Sequence, residues 1–248
     1  MKQWHNLLPV LSILVLLGIW QVSADNLNSP ALPTPNAVAT VFWTAVQSGQ
    51  LPYHLGMTLV RLLVSFTIAM LLGCSIGIVL GRYQRINAFF DQWLIVFLNI
   101  PALVTIILCY VWFGLVESAA ILAVVINKLP NVIVILREGA RSLDQDLLEM
   151  ARCFNFSKRK TLVYVIWPQL HPFVMTAVRS GLALTWKIIL VVELLGRSNG
   201  IGYQLHVFFQ LFDVASIMAY TLAFVVMIQL IELVFLKPLD RKSLTWRR

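Results

Sequence analysis

Charge is scarce in this chain. Only 12% of its 248 residues are charged, where a soluble domain carries about a quarter. A water-soluble globular fold is excluded on that ground. Cysteine is also scarce. Cys74, Cys109 and Cys153 are the three present, an odd number without metal-type spacing, which argues against a disulfide framework or a zinc site. There is no Gly-x-x-x-x-Gly-Lys-Ser/Thr loop, so the chain does not by itself cradle ATP in the usual way. His5, His54, His171 and His206 lack the i, i+4 pairing of a helical metal site. No serine sits in a Gly-x-Ser-x-Gly turn. An enzyme reading is left without a nucleophile–base constellation.

What the chain does have is long apolar runs. Hydrophobic residues make up 59% of it, with a mean hydropathy of +0.82. About 20 such residues span the hydrocarbon core of a bilayer. Membrane helices are expected at 7–22, 55–81, 93–115, 119–136, 171–195 and 217–236, an all-α polytopic bundle forming one domain over 1–248. The first run is followed by Val22-Ser23-Ala24, which also resembles a signal-peptide cleavage site; a retained helix is the preferred reading. Residues 37–51 carry Val41, Phe42, Ala45 and Val46 at helical spacing beside Trp43, as an interfacial helix would. Ser65, Ala69, Gly73, Gly77 and Gly81 recur every fourth residue, a smooth stripe that lets a second helix approach closely. Pro101, just after Asn99, is expected to break the third span.

The formal charge of +8 would suggest nucleic acid in a soluble protein. In a membrane protein its placement matters more, because cytoplasmic loops collect Lys and Arg. With the N-terminus inside, the inner segments hold Lys2, Arg82, Arg85, Arg137, Arg141, Arg152, Lys158, Arg159, Lys160 and the tail residues Lys237, Arg241, Lys242, Arg247 and Arg248. Only Arg197 falls clearly outside. Both termini are therefore expected in the cytoplasm, with lipid as the chain's surroundings and no nucleic acid partner.

The longest charged island lies within an expected inner segment at 137–168. From Asp144 to Ser157 it places Leu147, Met150, Ala151 and Phe154 at i, i+3, i+4 and i+7, so a short helix here is amphipathic. Acidic residues crowd its first turn, as the helix dipole favours. Asn155 follows its last turn, and Asn tolerates the left-handed conformation that ends helices. Ser157 can cap a second helix. Such a helix–turn–helix reads either as a docking surface or as a solvated loop between spans.

Four ordered blocks carry a resemblance. They are Thr58-Leu59-x-Arg61, Val111-Trp112-Phe113-Gly114, Glu149-Met150-Ala151 with Asn155 and Ile166-x-Pro168, and Asn199-Gly200-Ile201-Gly202-Tyr203. From about residue 36 onward the chain resembles the inner-membrane permease subunits of bacterial ABC importers, and is most similar to the nitrate/sulfonate/taurine branch. The resemblance implies the type I importer permease fold, with the third block as the coupling helix that sits in a groove of a cytoplasmic ATPase subunit. Glu149, Met150, Ala151, Phe154 and Asn155 are the implied coupling residues. Asn155 stands where the family usually has glycine, and both accept a positive φ. The resemblance also implies ATP and Mg bound by the ATPase partner rather than by this chain. The remaining implied partners are a second permease copy, favoured as a homodimer, and a periplasmic substrate-binding protein.

Charges inside membrane helices cost at least about 2.5–3.5 kcal/mol each, so they face a bundle interior or water. On the fifth expected helix Lys187 lies about 80° to one side of Arg179 and Glu193 about 40° to the other, a broad face expected to point inward with Trp186 close by. On the fourth, Lys128 follows Asn127. The resembled pattern usually has uncharged residues at 128 and 187, so two lysines there suit an anion's path. Asn127, Lys128, Arg179, Trp186, Lys187 and Glu193 are the expected pathway residues. The competing reading is structural, with Arg179 and Glu193 paired to polar groups on neighbouring helices and the lysines snorkelling or paired. An organic or inorganic anion such as a sulfonate, taurine or nitrate is the favoured cargo. A thiamine-precursor pyrimidine or another small nitrogenous nutrient is the alternative. An ion-coupled secondary transporter would need inverted repeats, and none is evident.

Overall fold

The computed structural model describes residues 2–27, 29–236 and 238. The basic tail at 237–248, residue 238 aside, and the side chain of Lys2 lie outside the described residues. Among the described residues there is no strand. The helices are α1 (Lys2–Leu27), α2 (Pro35–Gln47), α3 (Gln50–Arg82), α4 (Gln84–Asn99), α5 (Ala102–Phe113), α6 (Glu117–Arg141), α7 (Gln145–Cys153), α8 (Lys158–Thr161), α9 (Trp167–Gly196), α10 (Ile201–Gln210) and α11 (Val214–Ile231). A π-helical turn, Leu162–Ile166, joins α8 to α9, and another, Glu232–Leu236, follows α11.

Three helical stretches are long and apolar enough to cross a membrane: Gln50–Arg82, Glu117–Arg141 and Val214–Val234. The first two contain the expected second and fourth spans, and the third covers the expected sixth as far as Val234. α3 starts earlier than expected because Gly49, at φ +74°, turns the chain out of α2. Pro52 then falls in the first turn, where a missing N–H leaves no gap. In α1 the apolar stretch is Leu11–Leu27. α9 is 30 residues long, but Arg179, Lys187 and Glu193 interrupt its apolar run.

The third expected span, 93–115, is not one helix. It starts at Gln84 and divides into α4 and α5, whose axes turn by 96°. Ile100 and Pro101 are extended, with ψ of 123° and 135°, as the residue before a proline is pushed to be. The inner segment at 137–168 also differs from a loop. α6 runs on to Arg141, and α7, α8 and the π-helical turn together occupy most of the remainder.

α3, α6 and α9 form the centre of the bundle. α6 lies on the smooth stripe of α3. A Cβ added at Gly73 would stand 2.6 Å from Val132, at Gly77 2.7 Å from the Ile133 carbonyl, and at Gly81 2.6 Å from the Arg137 carbonyl. Backbone contact this close is available only without side chains. Beside this seam Leu62, Ile106, Tyr110, Ala123, Leu182 and Ile189 join α3, α5, α6 and α9 in one apolar cluster. α2 lies across the ends of α3 and α11, packing Phe42, Ala45 and Val46 against the cluster of Leu51, Tyr220 and Phe224. Trp43 is left exposed.

Candidate functional site

Two polar regions stand at opposite ends of this bundle. The first is the helix–turn–helix of α7 and α8. Asp144 caps α7, its carboxylate accepting from the Asp146 amide at 2.8 Å. The Asp144 amide donates to Gln169 Oε1 at 2.8 Å, tying the entry of α7 to the start of α9. At the exit the Phe156 amide bonds the Ala151 carbonyl at 2.9 Å and the Asn155 amide bonds the Arg152 carbonyl at 3.0 Å. This is a Schellman closure, with Asn155 in the left-handed region at φ +50°. Ser157 then caps α8 through the Lys160 amide.

α7 has two apolar sides. Leu148 and Ala151 are buried against Ala140, Leu143, Val165 and Leu170 of the bundle. Leu147 and Met150 are each 40% exposed and Phe154 is 71% exposed. The single apolar face expected from 147, 150, 151 and 154 therefore divides. Ala151 faces the bundle, because its small side chain lets α7 seat closely, and it is not part of the outer surface. Leu148, three residues before it, is the second anchor, and i, i+3 spacing was the available signal for it. Glu149 is exposed on the outer side. Leu147, Met150 and Phe154 form an apolar knob held rigidly from beneath.

The second region lies where α3, α6, α9 and α10 meet. Arg61, 3% exposed, is its centre. Its Nε donates to Glu117 Oε1 at 2.5 Å and its Nη1 to Glu193 Oε1 at 2.7 Å. Its Nη2 donates to Glu117 Oε2 at 3.1 Å and also to Asn199 Oδ1. Glu193 is fully buried, and its other oxygen accepts from Thr58 Oγ1 and the Gly202 amide, both at 2.9 Å. The Ile201 amide donates to Thr58 Oγ1 at 2.9 Å, and the Gly200 amide to His54 Nδ1 at 3.0 Å. His54 Nε2 lies 2.7 Å from Gln204 Nε2, so the ring bridges the Gly200 turn and α10. Arg197 closes the outer rim, with its Nη2 2.7 Å from Glu117 Oε2.

Two motifs read separately in the sequence thus form one contact. Thr58 and Arg61 hold the backbone and side chains of Asn199, Ile201 and Gly202 around Glu193. Gly200 sits at φ +105°, and a Cβ on either Gly200 or Gly202 would overlap Glu193. A buried carboxylate and guanidinium are tolerated here because nearly every donor and acceptor has a partner.

The expected pathway residues are not brought together. Glu193 does not share the side of α9 that carries Arg179 and Lys187; it is buried, while those two are exposed. Thr176, Arg179, Ala183, Lys187, Val191 and Leu194 form one exposed stripe at three- and four-residue steps. Glu193 stands at one edge of the buried sector of α9, and Arg179 and Lys187 lie about 40° and about 120° beyond that edge. Trp186 is half-buried between two core clusters. Asn127 bonds its own helix at the Ala123 carbonyl, 3.1 Å away. Lys128, 1% exposed, runs between α3 and α9 against Gly181 and Phe66, and its Nζ has no hydrogen-bond partner among the described residues. Among those residues no cluster of His, Cys, Asp or Glu could hold a metal.

The family profile described as binding-protein-dependent transport system inner membrane component matches residues 69–236. The chain is 30% identical to the Bacillus subtilis protein described as aliphatic sulfonates transport permease SsuC, over 94% of this chain and 85% of that one. It is 32% identical to the Escherichia coli SsuC, covering 76% and 72%. To the Escherichia coli taurine transport system permease TauC it is 26% identical, covering 96% and 89%.

Proposed function

The chain belongs to the binding-protein-dependent transport system inner membrane components, and from that membership we propose that it is the permease of an ATP-driven importer for small anions. Sulfonates and taurine are the favoured cargo, since similar permeases carry those names. The cargo arrives on a periplasmic binding protein. Two cytoplasmic ATPase subunits bind ATP and Mg, and this chain hydrolyses nothing. Two copies of the chain stand around a shared axis. Lys and Arg placement supports a cytoplasmic α7 end and cytoplasmic termini.

The observation that carries the mechanism is the knob of α7. Leu147, Met150 and Phe154 are exposed while Leu148 and Ala151 clamp the same helix to the bundle. A push on that surface is transmitted, because α7 is tied to the ends of α6 and α9 by Leu143, Leu170 and the Asp144–Gln169 bond. Glu149 orients the docking contact, and Asn155 gives the sharp exit that keeps the knob prominent. At the far end the Arg61–Glu193 network fixes α9 and α10 to α3, so α6 and α9 rock as levers about a pinned outer end.

Lys187 and Arg179, on the exposed stripe of α9, face the shared axis and present positive charge to an entering anion. Lys128 becomes available when α6 and α9 part, its buried ammonium offering a transient counter-charge. Reconstitution of the chain with its ATPase and binding protein in proteoliposomes tests the reading. ATP-dependent uptake of a labelled alkanesulfonate or taurine is the expected result. Uptake that persists without the ATPase subunit, driven by an ion gradient, would overturn it.

A further inference from the structure

A cavity of about 530 Å³ opens where α3 ends, α4 begins, α6 ends and α7 begins. Arg82, Arg141 and Arg152 all line it, with Gln84 and Gln145 between them and no carboxylate among its lining residues. Arg141 meets Glu138 at 3.1 Å, outside the cavity wall. Arg82 and Arg152 make no ion pair among the described residues. Three guanidinium groups gathered around one hollow repel one another, and an anion seated there relieves the repulsion. Guanidinium forks match phosphate oxygens two at a time.

The depth of the cavity selects the source of that anion. Arg82 is the last residue of the apolar span α3, and Arg141 the last of α6. Arginines at the ends of apolar spans reach for the head-group level. α4 leaves the cavity with Phe89, Phe90 and Trp93 stacked edge-to-face and tilted on one another. Phe89 is 67% and Trp93 56% exposed. Exposed rings further along α4, the helix whose Gln84 lines the hollow, suit a lipid-facing interface. Basic pockets between membrane helices are where acidic lipid head groups are held.

We propose that this cavity binds the phosphate of an acidic phospholipid, with Arg82, Arg141 and Arg152 as its ligands. Because α7 supplies Arg152 and packs Leu148 against the cavity, a bound head group braces the seat of α7 from the membrane side. The site stands on the cavity, its charges and its depth, and does not depend on the transport reading.

The test uses the full-length chain in phosphatidylcholine nanodiscs with a trace of spin-labelled lipid. The motionally restricted fraction of labelled phosphatidylglycerol is compared with that of labelled phosphatidylcholine. The wild-type chain is expected to favour phosphatidylglycerol by about fivefold or more, the discrimination expected of even one well-placed arginine. The triple variant Arg82→Gln/Arg141→Gln/Arg152→Gln should show no preference. Lys158→Gln/Arg159→Gln, which removes two exposed charges outside the cavity, should keep it. If the triple variant folds poorly, Arg82→Gln alone should at least halve the preference. An unchanged preference in the cavity variants overturns the proposal. So does displacement of the labelled lipid by inorganic phosphate as readily as by unlabelled phosphatidylglycerol, which would make the site one for free oxyanions. Loss of ATPase-subunit binding in the triple variant with lipid preference intact would mark a protein contact instead.

Discussion

Arg61 and Glu193 lie 132 positions apart in sequence, and in the fold their side chains meet at 2.7 Å with almost no solvent contact. This pair closes the outer end of the bundle. Replacing one partner strands the other charge where water cannot reach it, which costs about 3–5 kcal/mol. Arg61→Met should therefore lower the thermal unfolding midpoint sharply in detergent. Adding Glu193→Met should restore a good part of the loss. A double variant no better than the single one would show that the pair is not the source of the effect.

Gly200 gives a second test of the same region. Gly200→Ala meets both a positive φ and the Glu193 side chain, whereas Gly49→Ala meets a positive φ with open space around it. The left-handed penalty alone is about 1–2 kcal/mol. Gly200→Ala should exceed Gly49→Ala in lost stability, measured by unfolding of the two variants side by side. Equal losses would mean that the Glu193 cage yields freely.

The exit of α7 depends on residue 155. Asn155→Gly should leave stability unchanged or raise it slightly, because glycine enters the left-handed region without strain. Asn155→Val should cost about 1–2 kcal/mol and make the 153–157 turn more susceptible to limited proteolysis. Equal protease resistance in the two variants would contradict the Schellman closure.

Lys128 is the buried cation with no hydrogen-bond partner among the described residues. Lys128→Met keeps the length and removes the charge. Stability should rise, by about the 2.5–3.5 kcal/mol that an intramembrane lysine costs on insertion scales, while anion uptake falls. Higher stability with undiminished uptake would remove Lys128 from the pathway and leave it as a structural burden.

The sequence foretold what depends on near neighbours along the chain. The every-fourth small residues of α3 did lie under another helix, and Pro101 did break its span. Ser157, and the Asp144 carboxylate at the acidic start of α7, serve as caps. What it withheld depends on neighbours far along the chain. Nothing local says that Thr58 and Arg61 grip the 199–202 turn, since that contact forms only when α3 and α9 lie side by side. A helical wheel gives the angle between Lys187 and Glu193, but not which of them the bundle covers. In the same way the apolar residues of α7 were visible, while their division into a buried side at Leu148 and Ala151 and an exposed side at Met150 and Phe154 required the packing of α6 and α9. The 96° turn between α4 and α5 likewise follows from Pro101 only in kind, because a freed backbone sets no particular angle.

Everything proposed for transport passes through the exposed knob of α7, and Met150→Asp and Phe154→Asp place a charge on it without touching Leu148 or Ala151. The decisive experiment is ATP hydrolysed per solute imported, in proteoliposomes holding each variant with its ATPase and binding protein. Contacts of this kind concentrate energy in a few side chains, so uptake should fall at least about tenfold while the unfolding midpoint of the bundle stays put and hydrolysis no longer tracks uptake. Wild-type uptake and an unchanged ATP-to-solute ratio in both variants would show that α7 does not transmit the ATPase cycle.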